Sequence, residues 1–169
     1  MQVRPDRLSP LHRIGGGLIV SCQPVPGGPL DKPEMVVGFA LAALQAGAVG
    51  LRIEGIENLR AVRKATTASI IGIIKRDLAD SAVRITPLIE DVKALAEAGA
   101  DIIAFDSTAR RRPVEAAQLC NAVRSYGCVP MADISTLAEA EAAKRFGAEV
   151  IATTLAGYTG GPEPETPDF

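Results

Sequence analysis

Three stretches of this chain follow one template: AGAVGLRIEG at 46–55, AGADIIAFDS at 98–107 and FGAEVIATTL at 146–155. Each follows an amphipathic run. In each, a glycine sits where a helix must end in a left-handed residue, then comes alanine, then a short run rich in Ile and Val. The unit reads helix, tight turn, buried strand. YGCVPMADIS at 126–135 is a looser copy, and LIVSCQ (18–23) and SIIGIIK (69–75) add two more buried strands.

Collected in order, the spacing predicts strands at about 18–23, 49–54, 70–75, 101–106, 128–133 and 149–154. Helical patterns near 33–46, 56–66, 88–98, 113–125 and 136–146 alternate with them. Short connections and apolar strands without alternation mean parallel βα units whose helices cover the sheet. The helix starts agree: Asp31 can cap a helix with Pro33 just inside it, Pro113 opens another, and Ser135-Thr136 precedes LAEAEAAKRFG. At 169 residues the chain has room for one compact domain and is too short for two ordinary ones. Two architectures use such units, an open doubly wound sheet and a closed eight-stranded barrel. The open sheet favours a Gly-rich phosphate loop after its first strand. Here GGG at 15–17 precedes that strand and GG at 27–28 lies in a Pro-rich loop, so both clusters read as turn chemistry.

Composition removes several function classes. A net charge of −2, a pI near 5.5 and 4% aromatics argue against a nucleic-acid surface, which needs clustered cations and stacking rings. The basic run Arg110-Arg111-Arg112 is too short to overturn this. Three cysteines without CxxC spacing and a single histidine predict reduced thiols, a cytoplasmic setting, no structural metal and no cofactor. The start MQVRPDRLSPLHRIGGG lacks the apolar core of a signal peptide, and no run approaches membrane-spanning length, so no membrane partner is expected.

The predicted strands all end in polar residues: Gln23, Arg52 with Glu54, Lys75, Asp106, Asp133 and Thr153-Thr154. In a parallel barrel the C-terminal strand ends share one rim, so these side chains would converge on one mouth. Alternation puts Ser21 with Gln23, Arg52 with Glu54, and Ile71 and Ile73 with Lys75 on common faces. Residues 70–74 carry no polar side chain, so Lys75 is either a desolvated amine with a lowered pKa, usable as a base, or a lysine that has left the core for water. Arg52 with Glu54 is either part of a site or a rim ion pair. Such a ring suits proton transfer at a carbon next to a carbonyl in a small anionic polyol. Lys75 would abstract the proton, Arg52 bind a carbonyl or hydroxyl-bearing face, Gln23 orient it, and Asp133 or Glu54 hold the lysine. Asp106 serves either the rim or the substrate, and Arg110 to Arg112 either the substrate or the following helix. His12 reads as a surface residue, Cys22 as core facing the helices, and Arg76 as pointing away from Lys75.

With LIVSCQ, LRIEGIENLR (51–60), IIGIIKRD (70–77), ITP (85–87), DSTARRRP (106–113), MADIST (131–136) and TTLAGYT (153–159), the chain resembles the N-acetylmannosamine-6-phosphate 2-epimerases, bacterial TIM-barrel enzymes of amino-sugar and sialic acid breakdown. The resemblance implies interconversion of N-acetylmannosamine 6-phosphate and N-acetylglucosamine 6-phosphate through an open-chain enolate at C2, with a phosphorylated amino sugar as partner. It puts the family's catalytic lysine on Lys75 and its substrate-contacting glutamine, arginine and aspartate on Gln23, Arg52 and Asp133. It also implies that family members continue past the PDF at 167–169 into a helix, a strand carrying a catalytic glutamate, and an eighth unit. GYTGGPEPETPDF (157–169) is too rich in Pro and Gly for a covering helix. The expectation is therefore a single truncated TIM-barrel domain over 1–169, with about six parallel strands, an N-terminal extension at 1–17 and an unfinished loop at 155–169. Such a piece would be impaired as an epimerase and would self-associate through its open sheet edges. A noncatalytic barrel piece acting as an interaction module is the alternative. A ketose-phosphate 3-epimerase would need a histidine metal site that one histidine does not supply.

Overall fold

A computed structural model describes residues 9–160. The elements are α1 (Pro10–Ile14), β1 (Ile19–Cys22), α2 (Pro33–Gln45), β2 (Gly50–Glu54), α3 (Ile56–Ala65), β3 (Ser69–Ile73), α4 (Ile89–Ala98), β4 (Ile102–Asp106), α5 (Ala116–Ser125), β5 (Val129–Asp133), α6 (Leu137–Phe146) and β6 (Val150–Ala152). The repeat becomes structure through its glycines. Gly47, Gly99 and Gly147 end α2, α4 and α6 with φ of 101°, 99° and 87°, a region closed to most side chains, and each turns the chain into the next strand.

All six strands are parallel and lie in the order β1-β2-β3-β4-β5-β6. Sequential order without a reversal separates this sheet from a doubly wound one, which needs a switch point. It is the winding of a TIM barrel, here a curled six-stranded half-barrel. Alternation along the strands makes two cores. Cys22, Leu51, Ile53, Ile70, Ile103, Phe105, Ala132 and Ile134 pack outward against helix residues such as Val36, Leu59, Leu95, Leu119 and Ala143. Ile71, Ile73, Ile102, Ala104 and Met131 form the inner layer on the concave face, with Ile14 and Ile19 beside them. Gly72 faces the helix layer at a close approach: a Cβ there would stand 2.7 Å from Leu59 Cδ1 and 3.0 Å from Ala100 Cβ.

The predicted strands and five helices are present with every end within three residues of the expected one. The short α1 is additional. It is stapled below the sheet by Arg13, which donates to Thr67 O at 3.2 Å and pairs with Asp101 at 3.3 Å. Two expected caps are corrected. Lys32, not Asp31, precedes α2, because the Asp31 carboxylate is occupied by the backbone N–H of Gly27 at 2.8 Å. Pro113 lies in a bend and α5 starts at Ala116, where Glu115 and Gln118 form a reciprocal capping box. Thr136 caps α6 as expected, paired with Glu139. Residues 1–8 of the expected N-terminal extension and 161–169 of the expected final loop lie outside the described residues.

Candidate active site

The strand ends open into one cleft. A volume of about 540 Å³ is lined by Ser21, Gln23, Arg52, Ile71, Ile73, Lys75, Ile85, Met131, Thr154 and Tyr158. A second volume of about 450 Å³ shares Lys75, Ile85, Thr154 and Tyr158 with it and adds Arg84, Asp106 and Arg110. The alternation argued from the sequence accounts for this lining: residues of even number in β2 and odd number in β1 and β3 face inward.

Arg52 and Asp133 form a bidentate pair across the cleft. Nη1 donates to Oδ1 at 3.1 Å and Nη2 to Oδ2 at 2.5 Å. Asp133 is fully buried and the Arg52 side chain is 11% exposed. β2 and β5 are three strand steps apart in the sheet, about 14 Å if it were flat. Side chains standing on a flat sheet could not meet at that separation, so the pair itself measures the curl. The ion partner of Arg52 is thus Asp133 and not Glu54. Gln23 is half-buried, and its amide nitrogen donates to Ser21 Oγ.

Of the two alternatives for Lys75, the structure has the second, a lysine that has left the core. It is exposed, and among the described residues its ammonium has no polar partner. The reason is local. β3 ends at Ile73, and the chain then rises in a small antiparallel turn in which Lys75 bridges Ile85. Arg76 N–H donates to Arg84 O at 2.9 Å and Thr86 N–H to Ile74 O at 2.7 Å. Lys75 therefore stands one step above the rim, beyond the strands that bury residues 69–73. Neither expected carboxylate holds its ammonium. Asp133 is taken by Arg52, and Glu54 Oε1 accepts from the Lys75 backbone N–H at 3.4 Å.

Asp106 is also buried, but its oxygens are taken by its own loop. Oδ1 accepts from Thr108 N at 3.0 Å, Thr108 Oγ1 at 2.7 Å and Arg112 Nη2 at 3.1 Å, while Oδ2 accepts from Arg110 Nη2 at 2.6 Å. Arg111 is exposed. Arg76 turns away from Lys75 as expected and grips Asp91 on α4, with Nη2 at 2.6 Å from Oδ1; that hydrogen bond, ahead of burial and charge effects, raises its pKa. Cys22 is buried toward the helices and burial raises its thiol pKa; His12 is exposed. Among the described residues no group of three or more His, Cys, Asp or Glu is placed to hold a metal ion, and no helix is long and apolar enough to cross a membrane.

Sequence reasoning missed Ile85, Arg84 and Tyr158 as parts of this mouth. ITP and TTLAGYT are visible as segments, but only the fold brings 84–86 against residues 74–76 and Tyr158 into the same cleft as Lys75.

Residues 36–169 match the family model described as "Putative N-acetylmannosamine-6-phosphate epimerase". A relative from Yersinia pseudotuberculosis serotype O:3, named "Putative N-acetylmannosamine-6-phosphate 2-epimerase", is 59% identical over 158 residues, covering 94% of this chain and 68% of its own length. This chain belongs to that epimerase family. The N-acetylmannosamine-6-phosphate 2-epimerase from Clostridium perfringens superposes with a TM-score of 0.93 at 34% identity, over 98% of this chain and 73% of that one. A structure from Burkholderia cenocepacia described as a "putative lyase/mutase", 19% identical with a TM-score of 0.56, shows likeness of fold alone.

Proposed function

We propose that the chain's site carries out proton transfer at C2 of an N-acetylhexosamine 6-phosphate, interconverting the manno and gluco epimers. The observation that carries this reading is the placement of an amine without a polar partner among the described residues, Lys75, on the same concave mouth as the Arg52–Asp133 pair in a member of this epimerase family. A C2 proton beside an open-chain aldehyde is acidic because its loss gives an enolate. Catalysis needs a base at that proton and donors where the oxygen gains charge. Lys75 is the base. Asp133 takes two of the five N–H donors of Arg52 and sets its plane, leaving three to bind substrate oxygen. Gln23 orients a hydroxyl, and Glu54 braces the Lys75 backbone. Asp106 contributes indirectly by fixing Arg110, which with Arg84 and Lys75 gives the cleft a positive potential suited to a phosphorylated sugar.

The thiol chemistry of the chain suits a reducing cytoplasm. Association with a second copy through the outer edges of β1 and β6, each paired on one side only among the described residues, belongs to the same proposal. Light scattering that shows a stable monomer opposes the association without touching the chemistry.

The test follows deuterium entry at C2 of N-acetylmannosamine 6-phosphate in D2O by NMR, with Lys75→Ala beside the unaltered chain. Exchange reports abstraction; appearance of the gluco epimer reports return to the opposite face. Wash-in that vanishes in the variant supports the reading. Wash-in that persists in it removes Lys75 as the base.

A further inference from the structure

Thr86 holds a backbone conformation that threonine avoids. Its φ is 45°, and among the described residues it is the one non-glycine with positive φ. A β-branched side chain is strained there, and the following Pro87 restricts it further. Strain of this kind persists only where surrounding contacts enforce it, and such outliers concentrate at functional sites. The contacts here are specific. Thr86 is fully buried, its N–H donates to Ile74 O at 2.7 Å, and its Oγ1 accepts from Ile74 N–H at 3.3 Å. One residue thus satisfies both backbone groups of the residue immediately before Lys75. The next link is equally direct: Ile85 bridges Lys75, and its carbonyl accepts from Asp106 N–H at 2.9 Å. The turn bearing Lys75 is thereby tied to the end of β4.

The ammonium of Lys75 has no side-chain partner to aim it among the described residues. With no such partner, its orientation starts from the backbone it leaves and the cleft wall it lines. We infer that Thr86 is a positioning residue for Lys75: its main-chain N–H and its hydroxyl clamp the Ile74 peptide groups and so set the direction in which the lysine leaves the rim. This rests on the reading of Lys75 as the base. It explains why a threonine stands where glycine would be relaxed. Glycine would remove the strain and with it the acceptor for Ile74 N–H.

Two substitutions separate the hydroxyl from the shape. Thr86→Val keeps the branched outline and removes the acceptor, whereas Thr86→Ser keeps the acceptor. Both are compared with the unaltered chain and Lys75→Ala for deuterium entry at C2 of N-acetylmannosamine 6-phosphate. Because a base displaced by a fraction of an ångström loses rate before the site loses affinity, Thr86→Val should lower kcat for exchange about 10- to 100-fold with KM little changed. Thr86→Ser should restore most of it. Equal rates in Thr86→Val and the unaltered chain, or a serine variant as poor as the valine one, would overturn the inference.

A second measurement does not depend on turnover. In chains carrying ¹³C-labelled lysine, the Lys75 Cε signal is assigned by its loss in Lys75→Ala. Thr86→Val should shift or broaden that signal and speed exchange of the Ile74 amide, with Thr86→Ser leaving both near their original state. If signal and amide are unmoved in a folded Thr86→Val chain, the clamp does not position the lysine. Exchange at C2 that survives Lys75→Ala instead defeats the functional reading and leaves the clamp to be judged by the NMR result.

Discussion

Asp106 and Asp133 end neighbouring strands, face each other in register and are both buried, yet their carboxylates are used in different ways. Asp133 reaches across the mouth to Arg52, 81 residues away in the chain. Asp106 is wrapped by Arg110 and Arg112 of its own βα loop, four and six residues on. The first pair exists only because the sheet curls, whereas the second is assembled by a local turn. A mouth built this way has one wall that depends on the barrel and one that carries its own support.

Breaking the long-range pair should have the largest effect. Arg52→Met leaves Asp133 as a buried carboxylate without its cation, which costs about 3–5 kcal/mol when one partner of a buried pair is removed. Urea denaturation should register most of that, and replacing Asp133 as well, with leucine, should recover part of it. A loss well under that range would mean that Asp133 is solvated in the open mouth and that curl does not depend on the pair.

Arg112→Ala tests the local wall and should cost less, about 1.5–3 kcal/mol, the range for a hydrogen bond to a charged group. Arg112 is 6% exposed and donates to the Asp106 carboxylate, to Asp106 O at 2.6 Å and to Thr108 O. Asp106 keeps Arg110 and Thr108 as partners when Arg112 is gone. If the Arg112 variant were the less stable of the two, the contrast between the walls would be reversed.

The same contrast explains what the sequence makes legible. Gly47, Gly99 and Gly147 announce their role because only glycine takes those backbone angles cheaply, so helix ends and strand starts can be read directly. Burial of β3 and β4 on both faces follows from their unbroken apolar runs. Gathering Gln23, Arg52, Lys75, Asp106 and Asp133 on one rim needs only the parallel order of strands. Partnership does not follow from order. The choice of Asp133 over Glu54 by Arg52 depends on curvature, a sum of small rotations that no local pattern records. The exposure of Lys75 depends on the turn over 74–86, which has no period, and Thr86 takes an angle that its own preferences disfavour.

Arg110 should show the smallest effect on stability and sharpens the comparison from the other side. Its side chain is 25% exposed, so its 2.6 Å contact with Asp106 Oδ2 is partly screened by water; without it Arg112 still supplies a cation at Oδ1, and water can enter where Arg110 leaves Oδ2. Arg110→Ala should therefore change unfolding free energy by no more than about 1 kcal/mol, with the difference shrinking as salt is raised. Function is where this residue should matter. It borders the cleft with Lys75 and Arg84, so loss of its charge should raise KM for the phosphorylated sugar while kcat for C2 exchange stays near the unaltered value. A fall in kcat with KM unchanged would instead place Arg110 in the reacting geometry, and the self-supported wall would then belong to the chemistry as fully as the Arg52–Asp133 pair.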